Sequence, residues 1–188
     1  MQLFKGKGND QPEPDIEGRV IRETLPEKGR IFEVGCGSMK TREDAIGVDQ
    51  VEGGNPLCRT DWRSNEGKTL SVADIKADVF IDNFAEENSL DAIVARHVLE
   101  HAVDPIGAVK LWVKMLKNNG KLIIAVPDSA KCNTIILNPD HRHSFTRAYL
   151  ENLIKTICPE MQVEFIKEAG NGISFVGSFI KNAQSLGY

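Results

Sequence analysis

The histidines of this chain fall into two short clusters, and both carry groups that can accept a proton or bind a metal. His97 and His101 frame the sequence His-Val-Leu-Glu-His, whereas His141 and His143 alternate along a polar segment. A neutral imidazole accepts a proton near physiological pH, so His141 and His143 are candidate general bases. The first cluster also fits the H-x-x-E-H zinc pattern, with His141 or Asp140 as a third ligand.

The context of the first cluster argues against a zinc enzyme. The H-x-x-E-H motif belongs on a long helix, but here it directly follows a buried apolar run and soon meets Asp104-Pro105, a helix start. We therefore expect no bound metal. His97 is expected to pack beside a ligand, and Glu100 or His101 to orient the neighbouring loops.

A glycine turn preceded by an acid is the second feature with chemical meaning. The apolar run at 30–34 contains Glu33 and leads into Gly35-Cys36-Gly37. Glycine tolerates positive φ and lets a ligand approach the backbone closely. A pyrophosphate would favour a third glycine, as in G-x-G-x-x-G, where this chain has Lys40. A carboxylate repels phosphate and attracts an amine, which favours the amino-acid end of S-adenosylmethionine over NAD.

A further acid ends the next apolar run. Asp49 follows Ala45 to Val48, and a carboxylate at that position can accept hydrogen bonds from both hydroxyls of a ribose. Gln50 lies beside it and is a second candidate contact for the ligand.

The elements that position these residues alternate along the chain. Apolar runs predict strands at 30–34, 45–49, 75–81, 91–95 and 121–126. Capping residues and helical spacing predict helices from Asp15 to Thr24, from Asp104 to the Asn118-Asn119-Gly120 stop, and from Arg147 to Cys158, the last capped by Thr146 or Ser144. Two further runs, 162–168 and 173–180, flank a Gly-Asn-Gly turn and predict a hairpin.

This order predicts an α/β fold, a doubly wound and mostly parallel Rossmann-like sheet with a C-terminal antiparallel hairpin. Ligands of such sheets bind at the carboxyl ends of the strands, which is where the candidate residues fall. We assign residues 1–29 to an N-terminal arm with a short helix and residues 30–188 to the main domain, with an irregular insertion at 50–71. Residues 38–45 are too few for a first crossover helix of several turns.

The motifs, taken in order, resemble those of small single-domain class I S-adenosylmethionine-dependent methyltransferases. The glycine turn resembles their motif I, and the segment 78–84 resembles their adenine-binding stretch, with Asp82-Asn83 replacing Leu-Pro. The segment 96–101 looks like the one that follows their fourth strand. Residues 116–122 are similar to their Leu-Lys-Pro-Gly-Gly turn, with Asn-Asn in place of Pro-Gly.

The resemblance implies S-adenosylmethionine as the cofactor and a role for each matching residue. Glu33 and the backbone of Gly35-Cys36-Gly37 would hold the amino-acid end, and Asp49 the ribose. Asp78 and the amide of Val79 would bind the adenine, and Arg96 with His97 would line the cofactor near the reacting carbon. The short first crossover resembles a subset associated with glycan or cell-surface biosynthesis. We therefore expect transfer to oxygen, or to nitrogen, of a small-molecule or glycan-like acceptor.

Composition narrows the partners and the compartment. The net charge of −4 argues against general nucleic-acid or anionic-membrane binding, and no apolar run reaches membrane-spanning length. The cysteines form no C-x-x-C pair and read as reduced thiols of a cytoplasmic protein. The short arm and the 50–71 insertion leave the acceptor site either open or completed by another subunit, as in a homodimer.

Three other classes share some of these features. A nicotinamide dehydrogenase would have the same sheet but needs the third glycine. A zinc-dependent hydrolase would use the H-x-x-E-H segment and would bind zinc stoichiometrically. A non-catalytic methyltransferase-like module would keep the cofactor residues and fail to turn over any acceptor.

Overall fold

A seven-stranded mixed sheet organises the part of the chain described by the computed structural model, residues 15–57, 69–169 and 172–182. Its strands are β1 (Ile31–Val34), β2 (Ile46–Asp49), β3 (Ile75–Lys76), β4 (Leu90–Arg96), β5 (Leu116–Pro127), β6 (Met161–Ala169) and β7 (Ser174–Lys181). The helices are α1 (Ile16–Thr24), α2 (Pro105–Met115), α3 (Thr134–Leu137) and α4 (Arg147–Ile157), with a 3₁₀ turn at Leu99–His101. Residues 1–14 of the predicted N-terminal arm and residues 58–68 of the predicted insertion lie outside the described residues.

The strand order is β3-β2-β1-β4-β5-β7-β6, and this confirms the predicted fold class. The first five strands in this order are parallel, whereas β7 runs antiparallel to both β5 and β6. The chain leaves β1 for β2 on one side, and β4 lies on its other side. The carboxyl ends of β1 and β4 therefore flank the switch point, where doubly wound sheets bind their ligands.

Helices cover the central strands on both faces, as the unbroken apolar runs of β4 and β5 require. On one face, Trp112 of α2 and Ile154 of α4 pack in the larger core with Phe179. On the other face, Ile21 of α1 packs against Val94 and neighbouring strand residues. The short helix of the predicted N-terminal segment is thus part of the core of the sheet. Among the described residues, no helix is long and apolar enough to cross a membrane.

Local capping signals are confirmed at three helix starts. Asp15 accepts a hydrogen bond from the Gly18 amide at 2.9 Å, and Asp104 accepts one from the Gly107 amide at 2.9 Å. Thr146 caps α4 by accepting a bond from the Tyr149 amide at 3.1 Å, and it is the cap in preference to Ser144. Each helix begins where its first unpaired amides find a side-chain acceptor.

Two predicted boundaries are wrong. The strand expected at 75–81 ends at Lys76, because Asp78 turns the chain: its carboxylate accepts from the Phe80 amide and its carbonyl from the Ile81 amide. The second predicted helix ends at Met115 and does not reach Asn118-Asn119-Gly120. Leu116 already pairs with Leu90 in the sheet, so the chain enters β5 at once.

The connection from β1 to β2 contains turns and bends but no helix between residues 35 and 45, as its length predicted. A short connection of this kind keeps the glycine turn close to the end of β2. The amide of Gly35 donates to the Val48 carbonyl at 2.7 Å, which fixes the turn against that strand.

Candidate functional site

The glycine turn has the positive-φ backbone conformation that its sequence predicted. Gly35 has φ = 63° and Gly37 has φ = 54°, both in the left-handed region that side chains disfavour. A Cβ on Gly35 would also lie 2.5 Å from a methyl carbon of Val98. Both backbone conformation and close packing therefore require glycine at position 35.

Asp49 stands at the carboxyl end of β2 with its carboxylate fixed by the same turn. Its Oδ2 accepts a hydrogen bond from the Gly37 amide at 2.9 Å, and its Oδ1 accepts one from the Val51 amide at 3.1 Å. These two bonds set the orientation of the carboxylate before any ligand arrives. Asp49 is half-buried and faces the cleft described next.

A cleft opens at the switch point and collects residues from four connections. Six of the predicted site residues line it: Gly35, Asp49, Gln50, Asp78, Val79 and His97. Phe80, Val98 and His101 complete the lining. Buried Trp112 anchors one wall, because its indole Nε1 donates to the Val79 carbonyl at 2.7 Å. The wall that carries Asp78 and Val79 is therefore attached directly to the core through α2.

Glu33 lies behind the glycine turn, and both of its carboxylate oxygens accept hydrogen bonds. They accept hydrogen bonds from the Thr41 amide at 2.6 Å and the Thr41 hydroxyl at 2.7 Å. Burial raises the pKa of this carboxyl, although the two bonds from Thr41 oppose the shift. In this arrangement Glu33 holds the segment that follows the turn. Its predicted contact with the cofactor stays a prediction.

Cys36 is buried inside the turn and carries a neutral thiol. Burial, with the negative charges of Asp49 and Glu33, raises the pKa of the Cys36 thiol to about 12. A side chain on Gly47 would lie 2.7 Å from its sulfur. The residue therefore fills space within the turn.

Arg96 points to α1 and is not part of the cleft lining. Its guanidinium binds the carboxylate of Glu17 at 2.6 Å and that of Asp15 at 2.6 Å. Glu17 is buried and also accepts a hydrogen bond from the Ser174 hydroxyl at 2.6 Å. Arg96 thus ties the end of β4 to α1 and β7, which lie far away in sequence.

Glu17 is not among the predicted site residues, although the chain contains a signal for it. Glu17 lies on the face of α1 that also buries Val20, Ile21 and Thr24. An acid on the apolar face of an amphipathic helix must find a partner in the core. The sequence does not identify the partner, since Arg96 follows 79 residues later.

His97 stands between two acids at the floor of the cleft. Its Nε2 lies 3.0 Å from Glu17 Oε1, and its Nδ1 lies 3.4 Å from Glu100 Oε1. The His97 side chain is 43% exposed; desolvation by the surrounding groups acts to lower its pKa, but the carboxylates of Glu100 and Glu17 raise that pKa to about 10. His97 is therefore an imidazolium at neutral pH, and it cannot act there as a proton acceptor.

The two histidine clusters meet beside the cleft. The rings of His101 and His141 lie 4.8 Å apart between centroids in an edge-to-face arrangement. The Glu100 carbonyl accepts hydrogen bonds from the Arg142 amide at 2.8 Å and the His143 amide at 3.1 Å. The segment with the two candidate bases is thus attached to the H-x-x-E-H segment, and His101 links it to the cleft.

The two candidate bases differ in their surroundings. His141 is largely buried, and its Nδ1 lies 3.0 Å from the Thr134 carbonyl. A carbonyl only accepts, so Nδ1 carries the hydrogen and Nε2 is left with the lone pair. Burial lowers the pKa of His141, which keeps it neutral at physiological pH. His143 is half-buried, and its ring centroid lies 6.4 Å from that of Phe145.

Comparison with known proteins identifies a family. The sequence model of a protein family described as a methyltransferase domain matches residues 17–173 of the chain. No curated protein matches the sequence.

Solved structures show the same fold at low sequence identity. A SAM-dependent methyltransferase from Thermotoga maritima, described as a possible histamine N-methyltransferase, has 18% identity and a TM-score of 0.59, with 88% of each chain covered. One from Aquifex aeolicus has 13% identity and a TM-score of 0.61, with 89% of this chain and 90% of that chain covered. One from Mesorhizobium loti has 12% identity and a TM-score of 0.62, with 86% and 96% covered.

Proposed function

The chain belongs to the methyltransferase-domain family and is an S-adenosylmethionine-dependent methyltransferase, and from that premise we propose its acceptor class and its site residues. We propose that it transfers the methyl group to an oxygen, or to a nitrogen, of a small-molecule or glycan-like acceptor. The observation that carries the site assignment is the convergence of the predicted residues on one cleft at the switch point of the sheet.

In this proposal the cofactor lies along the carboxyl ends of β1, β2 and β4. Asp49 binds the ribose hydroxyls, with Gln50 beside it, and Asp78 with the Val79 amide binds the adenine. The backbone of Gly35-Cys36-Gly37 approaches the amino-acid end. Glu33 supports that end through Thr41, and Arg96 acts by positioning His97.

Methyl transfer is an in-line displacement at an activated sulfonium, so alignment of the acceptor supplies much of the acceleration. A hydroxyl or ammonium acceptor must also lose a proton. We assign that proton to His141 or His143 because their segment adjoins His101 in the cleft wall. The neutral state of His141 and the lone pair on its Nε2 support this role.

A cytoplasmic location and a homodimer belong to the same proposal. The described cysteines, Cys36, Cys132 and Cys158, are free, which suits a reducing compartment. Ile81, Val103 and Ile136 are each more than 70% exposed, and each follows the carboxyl end of a parallel strand. A second subunit that covers this side would bury them and complete the acceptor site. Light scattering of the purified protein measures its mass directly.

Calorimetric titration with S-adenosylhomocysteine tests the cofactor site. We expect Asp49→Asn and Asp78→Asn to weaken binding by about tenfold or more, because each removes a charged acceptor. The matched controls Glu52→Gln and Glu86→Gln remove the same charge from exposed positions in the neighbouring segments. Equal affinity in the site variants and the controls would contradict the assignment.

Turnover with labelled S-adenosylmethionine tests the acceptor class. Sugars and other hydroxyl compounds should accept the label, and amines form the second panel. His141→Ala and His143→Ala are then compared with the true acceptor. Full turnover in both variants would refute the assigned base, whereas good cofactor binding without turnover of any acceptor would favour a non-catalytic module.

A further inference from the structure

Contrary to the expectation from the sequence, we propose that Glu100, His101 and His141 form a binding site for a divalent transition-metal ion beside the cofactor cleft. One ligand atom from each residue lies within 4.8 Å of the other two. Zinc bonds of about 2.0–2.2 Å separate neighbouring ligands by about 3.3 Å, so an ion would draw these atoms together by about 1.5 Å or less. Side-chain rotations can supply movements of that size.

The strongest argument is the state of the Glu100 carboxylate. The residue is 1% exposed, and neither carboxylate oxygen makes a hydrogen bond within the described structure. Oε1 pairs with the imidazolium of His97, whose Nδ1 lies 3.4 Å away, and it lies 3.9 Å from His141 Nε2, so charge contacts reach the carboxylate although no hydrogen bond does. A buried carboxylate is costly unless hydrogen bonds or a cation compensate it. The imidazolium of His97 compensates part of this charge, and a metal ion would supply direct coordination where hydrogen bonds are missing.

Both histidines are oriented as metal ligands. His101 Nδ1 lies 3.1 Å from the Asp140 carbonyl, and His141 Nδ1 lies 3.0 Å from the Thr134 carbonyl. Each carbonyl fixes the hydrogen on Nδ1 and leaves Nε2 with its lone pair. Metal-bound histidines commonly donate their second ring nitrogen to a backbone carbonyl in this way. The site is therefore arranged down to the tautomers of its rings.

The donor set identifies the class of ion. Two imidazoles and one carboxylate suit zinc, iron, manganese or cobalt, whereas calcium and magnesium favour oxygen ligands alone. Three protein ligands leave at least one coordination position open. His101 lines the cleft, so that position is near the place where the proposed function puts the acceptor.

The consequence for catalysis rests on the proposed function. A bound divalent ion lowers the pKa of a coordinated hydroxyl, which suits an oxygen acceptor. An ion would also occupy the Nε2 of His141. Of the two proposed bases, His143 would then be the one free to accept the proton.

The rival explanation is a purely structural ion pair between Glu100 and the imidazolium of His97. The two explanations differ in what they predict for added metal. Tag-free apo protein, prepared with a chelator, is titrated calorimetrically with Zn²⁺, Mn²⁺ and Co²⁺, and bound metal is counted by elemental analysis. The proposal predicts one ion per chain and a visible ligand-field spectrum with Co²⁺.

Three variants connect that ion to its ligands. Glu100→Gln and His101→Asn should each weaken metal binding by about 100-fold. His143→Ala removes an imidazole two residues from His141 and should leave the metal affinity unchanged. Circular dichroism confirms that each variant is folded, and His101→Asn keeps the test valid if Glu100→Gln does not fold. Binding no tighter than millimolar, or unchanged binding in both ligand variants, would overturn the proposal. S-adenosylhomocysteine titration of the same samples reports separately on the proposed function.

Discussion

Replacing Glu17 by glutamine tests how the N-terminal helix is attached to the site. Glu17 is buried and accepts bonds from Arg96 and Ser174, and it lies 3.0 Å from His97. Although burial acts to raise the pKa of Glu17, its hydrogen bonds and the charge of His97 lower it to about 2. Glutamine keeps the shape of the side chain and removes the charge.

The magnitude follows from that pKa. A carboxyl with a folded-state pKa of about 2 and an ordinary value of 4.5 contributes about 3 kcal/mol to the free energy of unfolding at neutral pH. The charge is shared among several partners, and the amide of glutamine keeps some hydrogen bonds. We therefore expect Glu17→Gln to cost about 2–3 kcal/mol, close to the range for breaking a buried ion pair.

The sign of the pH dependence is fixed by the lowered pKa. The contribution is complete above the unfolded-state value of 4.5 and is lost as the pH falls towards 2. The difference in free energy of unfolding between the wild type and the variant should therefore fall to about half of its neutral-pH value by a pH of about 3.

Urea unfolding followed by circular dichroism measures the difference through the midpoint at constant m-value. The control Glu23→Gln makes the same charge change on an exposed turn of α1 and should stay within about 0.5 kcal/mol of the wild type. A cost no larger than that of the control, or one that does not decrease in acid, would refute the reasoning.

Three further outcomes follow from the geometry of the cleft. Gly35→Ala should lower the free energy of unfolding by about 1–3 kcal/mol and weaken S-adenosylhomocysteine binding, because Gly35 has a positive φ and lies against Val98. Urea unfolding measures the first effect and calorimetry the second, and wild-type values would contradict the packing argument. Trp112→Phe should cost about 1–3 kcal/mol, because it leaves the buried Val79 carbonyl unpaired; an unchanged urea midpoint would speak against that bond. Iodoacetamide should alkylate native Cys36 more slowly than half-buried Cys132, because burial raises the pKa of the Cys36 thiol to about 12. Equal alkylation rates of the two cysteines, measured by mass spectrometry, would disprove this.

The cleft also shows how a small domain positions a histidine. His97 has φ = 55°, a strained conformation for a residue other than glycine. The carboxylates of Glu17 and Glu100 lie on opposite sides of its ring and stabilise the imidazolium. The attachment of α1 to β4 through Arg96 therefore also determines the charge state at the floor of the cleft.

Sequence alone determined the features that depend on a few neighbouring residues. The glycine turn was predicted from the φ freedom of Gly35 and Gly37, and the caps of α1 and α2 need one acceptor three residues from an amide. The apolar runs of β4 and β5 predict strands buried on both faces. The fold class followed from the order of these elements, since their handed connections leave few topologies.

Local signals failed where two of them competed. The apolar character at 75–81 predicted a strand, but the side chain of Asp78 captured a neighbouring amide and turned the chain. The Asn-Asn-Gly sequence predicted a helix end, but pairing of Leu116 with Leu90 ended the helix earlier. In the second case a partner from another strand decided the boundary.

Only the tertiary structure decided which charges meet. Glu17 pairs with Arg96, which lies 79 residues away in the sequence, and the His101 ring contacts the Asp140 carbonyl, which lies 39 residues away. Within the described structure the Glu100 carboxylate receives no hydrogen bond, and this depends on every group packed around it, so no spacing rule encodes it. Residue types and local spacing identify which groups can do chemistry. Packing determines their distances, solvation and protonation states, because these depend on residues that the chain brings together from distant positions.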